Sequence, residues 1–150
     1  MALQREEIII VGLGNRGRDS FAKAFLAFPN RGLPVFRERA RIVAFVDSNV
    51  ERARVANEAL GTSYPVFATL QEAVARHPAN WAVITTPDYT HAQTATVALD
   101  GGLNIIVDKP GRGGPRCTFL NEVNAQQLMW SALSCSVTFD RDTFLATAGA

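Results

Sequence analysis

This 150-residue chain has few cysteines, a small net charge and no long apolar run. The two cysteines, Cys117 and Cys135, fit neither a metal-ligand spacing nor a disulfide framework, so we expect no metal. A formal charge of +1 gives no electrostatic reason for a nucleic-acid partner. No run approaches the ~18 apolar residues of a membrane span, and the opening MALQREE has no apolar core of a secretory signal. We therefore expect a soluble, cytoplasmic protein with no membrane partner.

A short apolar run leads directly into a glycine motif at residues 7–17. Ile8-Ile9-Ile10-Val11 predicts a strand buried on both faces, and Gly12-Leu13-Gly14-Asn15-Arg16-Gly17 follows it. Gly12 and Gly14 allow a tight turn that a ligand can approach, and Gly17 allows a helix predicted over 18–28 to pack closely on the strand. The amino end of that helix suits a pyrophosphate. The segment predicts dinucleotide binding, and the alternative is a structural glycine-rich turn.

Strands and helices alternate along the rest of the chain. Further strands are predicted at 42–46, 66–67, 81–85, 104–107 and 134–139, and helices at 50–60, 69–77, 89–100 and 115–130. This order predicts an α/β fold with a doubly wound, mainly parallel sheet, the Rossmann fold, in one domain over 1–142 with a tail at 143–150. The long loop at 30–40 is either a solvated insertion or a lid that contacts phosphate.

An acidic residue, Asp47, ends the second predicted strand. This is the position from which a carboxylate hydrogen-bonds the adenosine ribose of a dinucleotide. A carboxylate there repels a 2′-phosphate, so we expect NAD(H) rather than NADP(H), although Arg52 and Arg54 are near enough in sequence to tolerate the phosphate. The alternative is that Asp47 caps the helix that follows.

Two more segments end at the same predicted edge of the sheet. Thr86 and Pro87 follow the fourth strand, and Lys109 follows the fifth. A lysine there can hold a substrate hydroxyl or transfer a proton, and the alternative is a solvated lysine at a strand end. His91, in the next helix, is by position a structural or a surface histidine.

Three motifs stand in order: GLGNRG at 12–17, TTPDYTH at 85–91 and VDKP at 107–110. Over residues 7–110 the chain resembles the Gfo/Idh/MocA oxidoreductases, the sugar and inositol dehydrogenase group. The resemblance implies an NAD(P)-binding Rossmann domain. It implies roles in three groups: Gly12, Gly14, Asn15, Arg16 and Gly17 around the pyrophosphate; Asp47 at the adenosine ribose; Thr86, Pro87 and His91 on the nicotinamide side.

The same resemblance gives Lys109 the role of the active-site lysine, with Pro110 beside it. Asp108 stands where the family has a glutamate that contacts the nicotinamide ribose, so a carboxylate is retained on a side chain one methylene shorter. Family members continue into a second domain that supplies a catalytic histidine, whereas this sequence stops near the sixth strand. No residue of this sequence takes that histidine's role.

Three hypotheses follow from these residues. The first is an NAD(P)-dependent oxidoreductase of a sugar, polyol or related hydroxy or keto compound, with Lys109 and Asp108 as catalytic residues and the missing wall supplied by another chain. The second is a non-catalytic dinucleotide-binding regulatory module, and the third is a scaffold with a redox-neutral activity. An apolar set near the sixth strand predicts a homodimer, unless it is ordinary core: Leu128, Met129, Trp130 and Leu133.

Overall fold

The computed structural model describes residues 5–27, 38–108 and 136–139, the last of these as backbone only. Its centre is a twisted sheet in which the first strand lies inside rather than at an edge. The strands are β1 (Glu6–Val11), β2 (Ala40–Val46), β3 (Val66–Phe67), β4 (Trp81–Ile84), β5 (Asn104–Asp108) and β6 (Ser136–Phe139). Their order is β3-β2-β1-β4-β5-β6. The first five are parallel and β6 runs antiparallel to β5, so the predicted mainly parallel α/β sheet is confirmed.

Helices connect the parallel strands and cover both faces of the sheet. They are a π-helical stretch (Arg16–Ala22) that continues into α1 (Lys23–Phe25), then α2 (Val50–Leu60), α3 (Leu70–Arg76), a 3-10 turn (Asp88–Thr90) and α4 (His91–Asp100). Side chains cap the amino ends of α2 and α3. Asn49 accepts from the Glu51 amide at 3.2 Å, and Thr69 accepts from the Glu72 amide at 3.3 Å. Gly61 ends α2 with φ +65°, as its glycine predicts.

The first helix differs from its prediction over 18–28. It begins at Arg16 and is π-helical through Ala22, with hydrogen bonds that reach one residue further than in an α-helix. The apolar spacing of Phe21 and Phe25 is compatible with either helix, so the sequence pattern alone did not distinguish them. Both side chains are partly buried against the sheet.

Alternate residues of β1 enter two separate cores, one on each face of the sheet. Ile9 and Val11 pack with side chains of α3 and α4, whereas Ile8 and Ile10 pack with side chains of α2 and the first helix. All four are buried, which is why this strand is a continuous apolar run instead of an alternating one. A slip of β1 by one residue would send each pair of side chains to the opposite core.

The strand order reverses between β1 and β4. From β1 the chain moves outward through β2 to β3 and then crosses back to β4, so the connections after β1 and β4 leave in opposite directions. Such a reversal opens a crevice at the carboxyl ends of the two strands, where open α/β sheets bind ligands. Gly12 and Thr85 are the residues that border it.

Several predictions fall on residues outside the described ranges. These are Lys109 and Pro110, the loop at 30–37, the helix at 115–130, the four-residue apolar set, and the domain boundary at 142. They stay predictions. In the part of the chain that is described, no helix is long and apolar enough to cross a membrane.

Candidate dinucleotide site

The sheet register sets four residues level with one another at the crevice. Val11 of β1 is paired with Val46 of β2 and with Ile84 of β4, and Ile84 is paired with Val107 of β5. The residues that follow these four strand positions are therefore neighbours across the sheet. They form a row, which we call the rim row: Asp47, Gly12, Thr85 and Asp108.

Gly12 and Gly17 let two backbone segments come close together at the crevice. Gly12 has φ +91°, and its amide donates to the carbonyl of Val46 at 2.8 Å. A Cβ on Gly17 would overlap the carbonyl oxygen of Gly12 and lie 2.7 Å from Thr85 Oγ1. Both glycines are therefore required by packing, as their positions in the motif predict.

Gly14 differs from these two glycines because it faces open space. A Cβ built on it would meet no heavy atom of the described residues within 4 Å. Asn15 and Arg16 beside it are exposed, and the helical stretch that begins at Arg16 directs its amino end toward this opening. The centre of the motif is thus free to accept a ligand.

Asp47 fixes the glycine loop from the neighbouring strand. Its Oδ2 accepts a hydrogen bond from the Leu13 amide at 2.9 Å, and its Oδ1 accepts one from the Asn49 amide at 2.9 Å. Asp47 is buried, with Arg52 Nη1 3.4 Å from Oδ1. The side chain that caps α2 is Asn49, so the alternative role of Asp47 as the helix cap is not what is observed.

We expect Asp47→Ala to lower both the free energy of unfolding and dinucleotide affinity. The substitution leaves the buried Leu13 amide without its acceptor, which costs about 1–3 kcal/mol. Urea unfolding followed by circular dichroism measures this loss. Glu58→Ala, an exposed carboxylate on α2, is the control and should change stability by less than about 0.5 kcal/mol. Equal stability of the two variants would contradict the anchoring role.

Thr85 fixes the same loop from the other side, and sequence reasoning missed this residue. Its hydroxyl donates to the Gly12 carbonyl at 2.7 Å and lies 3.2 Å from the Val11 carbonyl. The available signal was a threonine directly after a buried strand, next to the predicted nicotinamide-side residues. Recognising its partner required the β1–β4 pairing, which sequence order does not give.

The loop after β4 is held by its own side chains. Thr90 Oγ1 lies 2.7 Å from Thr86 Oγ1, and it also donates to the Pro87 carbonyl at 2.7 Å. His91 is 1% exposed, and its Nε2 lies 2.6 Å from the Thr86 carbonyl. The sequence allowed His91 to be either a structural or a surface histidine, and its burial shows that it is structural. Pro87 is exposed at the rim.

Arg16 and Asp108 are joined across the crevice, a contact that sequence reasoning missed. Arg16 Nε lies 2.8 Å from Asp108 Oδ2 and Nη2 lies 2.9 Å from Oδ1, a two-point ion pair. The glycine loop is therefore fastened to three strand ends, through Asp47 at β2, Thr85 at β4 and Asp108 at β5. The two partners are 92 residues apart, so only the strand order brings them together.

Asp19 lies in the first turn of the helix that follows the glycine loop. Its carboxylate accepts from Arg18 Nη2 at 2.7 Å and pairs with Lys23 Nζ at 2.8 Å. These contacts, that with Arg18 first, hold the pKa of Asp19 well below its usual range, and the same hydrogen bond raises the pKa of Arg18. Asp19 is thus an anion matched by two cations on its own helix.

The residues present fit the diphosphate of a dinucleotide. Gly14 faces open space in the described structure, and the Arg16 side chain beside it is 48% exposed. The Asp47 carboxylate stands at the end of the adjacent strand, on the side expected for a ribose. An open position, a cation and a carboxylate thus lie at the same end of the sheet.

The sequence model of the Gfo/Idh/MocA oxidoreductase family, with an NAD-binding Rossmann fold, matches residues 7–112. The chain belongs to this family. It is 29% identical over 103 residues to inositol 2-dehydrogenase from Renibacterium salmoninarum, a match that covers 69% of this chain and 28% of that protein. The chain thus spans less than a third of the length of this relative.

Solved structures of Gfo/Idh/MocA-like dehydrogenases have the same fold as this member of the family. GenD2 from gentamicin A biosynthesis, in complex with NAD, is 26% identical with a TM-score of 0.58 over 73% of this chain and 28% of its own. Apo scyllo-inositol dehydrogenase from Lactobacillus casei is 20% identical with a TM-score of 0.64 over 81% of this chain and 33% of its own. The latter likeness concerns the fold alone.

Proposed function

We propose that this chain binds a nicotinamide dinucleotide across the crevice and serves an oxidoreductase that acts on a sugar, polyol or related hydroxy or keto compound. The observation that carries the proposal is the rim row beside the open position at Gly14. The names of the relatives, an inositol dehydrogenase among them, support the substrate class.

In this proposal the glycine loop receives the pyrophosphate. The amides and side chains around Gly14, Asn15 and Arg16 surround it, while Gly12 and Gly17 keep the loop close to β4. Thr86, held by His91, and Pro87, held by Thr90, border the nicotinamide half. These assignments follow from the direction in which the loop and the strand ends open.

The proposed cofactor is NAD(H) rather than NADP(H). The Asp47 carboxylate lies at the end of β2, where it would repel a 2′-phosphate. Both nearby arginines are already opposite carboxylates: Arg52 Nη1 is 3.4 Å from Asp47, and Arg54 Nη1 is 3.2 Å from Glu51. The Asp47 carboxylate, not the exposed arginines, is therefore the feature that supports NAD(H).

Lys109 is the proposed catalytic residue. In sequence it directly follows Asp108, the member of the rim row that ends β5. A bound nicotinamide supplies the hydride acceptor or donor. The Lys109 ammonium then orients the reacting hydroxyl or carbonyl oxygen and exchanges its proton. A second copy of the chain is proposed to complete the pocket, and this homodimer rests on the sequence pattern alone.

Binding of NADH by the full chain, measured by titration calorimetry, tests the proposal. We expect Gly14→Ala to weaken NADH binding about tenfold or more, because the new methyl group occupies space proposed for the pyrophosphate. Its thermal unfolding temperature should stay that of the wild type, since nothing in the described structure lies within 4 Å of that Cβ.

The outcomes separate the three hypotheses. Binding together with turnover on a panel of sugars and polyols supports the oxidoreductase. Binding without turnover on any of them supports the regulatory module. No binding of NAD or NADP at millimolar concentration contradicts the proposal and favours a scaffold with another role.

A further inference from the structure

The ion pair between Arg16 and Asp108 has a geometry that fixes the direction of the guanidinium. Two nitrogens, Nε and Nη2, meet the two carboxylate oxygens at 2.8 and 2.9 Å. A two-point contact of this kind defines the plane of the guanidinium as well as its position. The ring of Phe21 lies against the same group, with the Arg16 Cζ 5.7 Å from its centroid. Arg16 is thus held by Asp108 and by Phe21.

The two partners are unequally exposed. The Asp108 side chain is 7% exposed, whereas the Arg16 side chain is 48% exposed. The buried carboxylate is therefore turned toward Arg16, and the cation is the member of the pair that reaches the surface beside Gly14. This arrangement differs from a carboxylate that is presented to a ribose hydroxyl.

We infer that Asp108 is a positioning residue: it sets the Arg16 guanidinium to receive the pyrophosphate of the dinucleotide and does not itself hold the nicotinamide ribose. The inference rests on the proposed dinucleotide function. In this role Asp108 contributes to cofactor binding indirectly, through the Arg16 cation on the glycine loop. The end of β5 is thereby tied to the loop that is proposed to bind the cofactor.

The choice of ligand separates this role from a direct ribose contact. ADP has the adenosine and the diphosphate of NADH, but lacks the second ribose and the nicotinamide. If Asp108 acts through Arg16 on the diphosphate, Asp108→Asn weakens ADP and NADH binding equally, by about tenfold each. If Asp108 touches the nicotinamide ribose, it weakens NADH binding and leaves ADP binding unchanged.

The variants form a double-mutant cycle on the full chain, with dissociation constants from titration calorimetry. Arg16→Gln should weaken ADP binding at least as much as Asp108→Asn, and the double variant should be no weaker than Arg16→Gln alone. Asp108→Glu, which keeps a carboxylate, should bind ADP more tightly than Asp108→Asn. Glu51→Gln breaks the exposed pair with Arg54 and is the matched control, with ADP affinity unchanged.

Three outcomes would each overturn the inference while the proposed function stands. Asp108→Asn could lose affinity for NADH but not for ADP, or the losses could be additive in the double variant. Arg16→Gln could also keep full ADP affinity. A wild-type chain that binds neither ADP nor NADH would overturn both. If thermal denaturation shows that Asp108→Asn does not fold, Asp108→Ala replaces it in the cycle. Arg16→Gln, at a half-exposed position, keeps the inference testable in either case.

Discussion

Gly17→Ala should lower the free energy of unfolding by about 3 kcal/mol or more, because its methyl group has no room. The new Cβ would overlap the Gly12 carbonyl oxygen and lie 2.7 Å from Thr85 Oγ1. That carbonyl cannot move aside cheaply, since Gly12 is hydrogen-bonded to both Val46 and Thr85. Urea unfolding followed by circular dichroism measures the loss.

Gly14→Ala makes the same chemical change three residues earlier and is the matched control. It should leave the unfolding curve in place while dinucleotide affinity falls, so the two variants separate packing of the loop from ligand binding. A loss below about 1 kcal/mol in Gly17→Ala would show that the loop and β4 separate more easily than their contacts indicate.

Lys109→Ala should reduce turnover by roughly 10²–10⁴-fold, the usual contribution of a positioned acid or base. The physical reason is the loss of the ammonium proposed to orient and protonate the reacting oxygen. NADH affinity should stay at the wild-type value, since the proposed pyrophosphate contacts remain. Initial rates of NADH oxidation and NAD reduction on the substrate panel, together with calorimetry, measure both quantities.

The control for this variant is Lys23→Ala, because Lys23 is the only other lysine of the chain. Its Nζ lies 2.8 Å from Asp19 on the first helix, in a pair that the proposed chemistry does not use. Turnover should therefore be retained in Lys23→Ala. Unchanged turnover in Lys109→Ala would remove Lys109 from the proposed mechanism.

The elements that sequence predicted well are those dictated by local patterns. The apolar run at Ile8–Val11 indicated a strand buried on both faces, and the glycine motif that follows it indicated a close turn. Asp47 was placed at the end of the second strand by the same reasoning, because a polar residue that ends a buried run must lie at the sheet edge. Each of these predictions required only the period of the side chains and the conformational freedom of glycine.

The contacts that fasten the glycine loop could not be predicted in the same way. The pairing of Arg16 with Asp108 and the bond from Thr85 to Gly12 depend on which strands become neighbours, and that order reverses between β1 and β4. The contact of His91 with the Thr86 carbonyl, five residues earlier, depends on the direction of that carbonyl. A sequence pattern records neither strand order nor carbonyl direction.

The rim row shows which segments of the chain can change in length without moving the site residues. Asp47, Gly12, Thr85 and Asp108 owe their neighbourhood to hydrogen-bonded strands, so the chain between one strand end and the next strand start contributes nothing to their spacing. The long connection before β2 is an instance, since it leaves Asp47 bonded to Leu13 despite the added residues. Insertions into the connection before β2 accordingly leave the rim row in place, whereas a residue added within β1 or β4 would shift one strand end out of it.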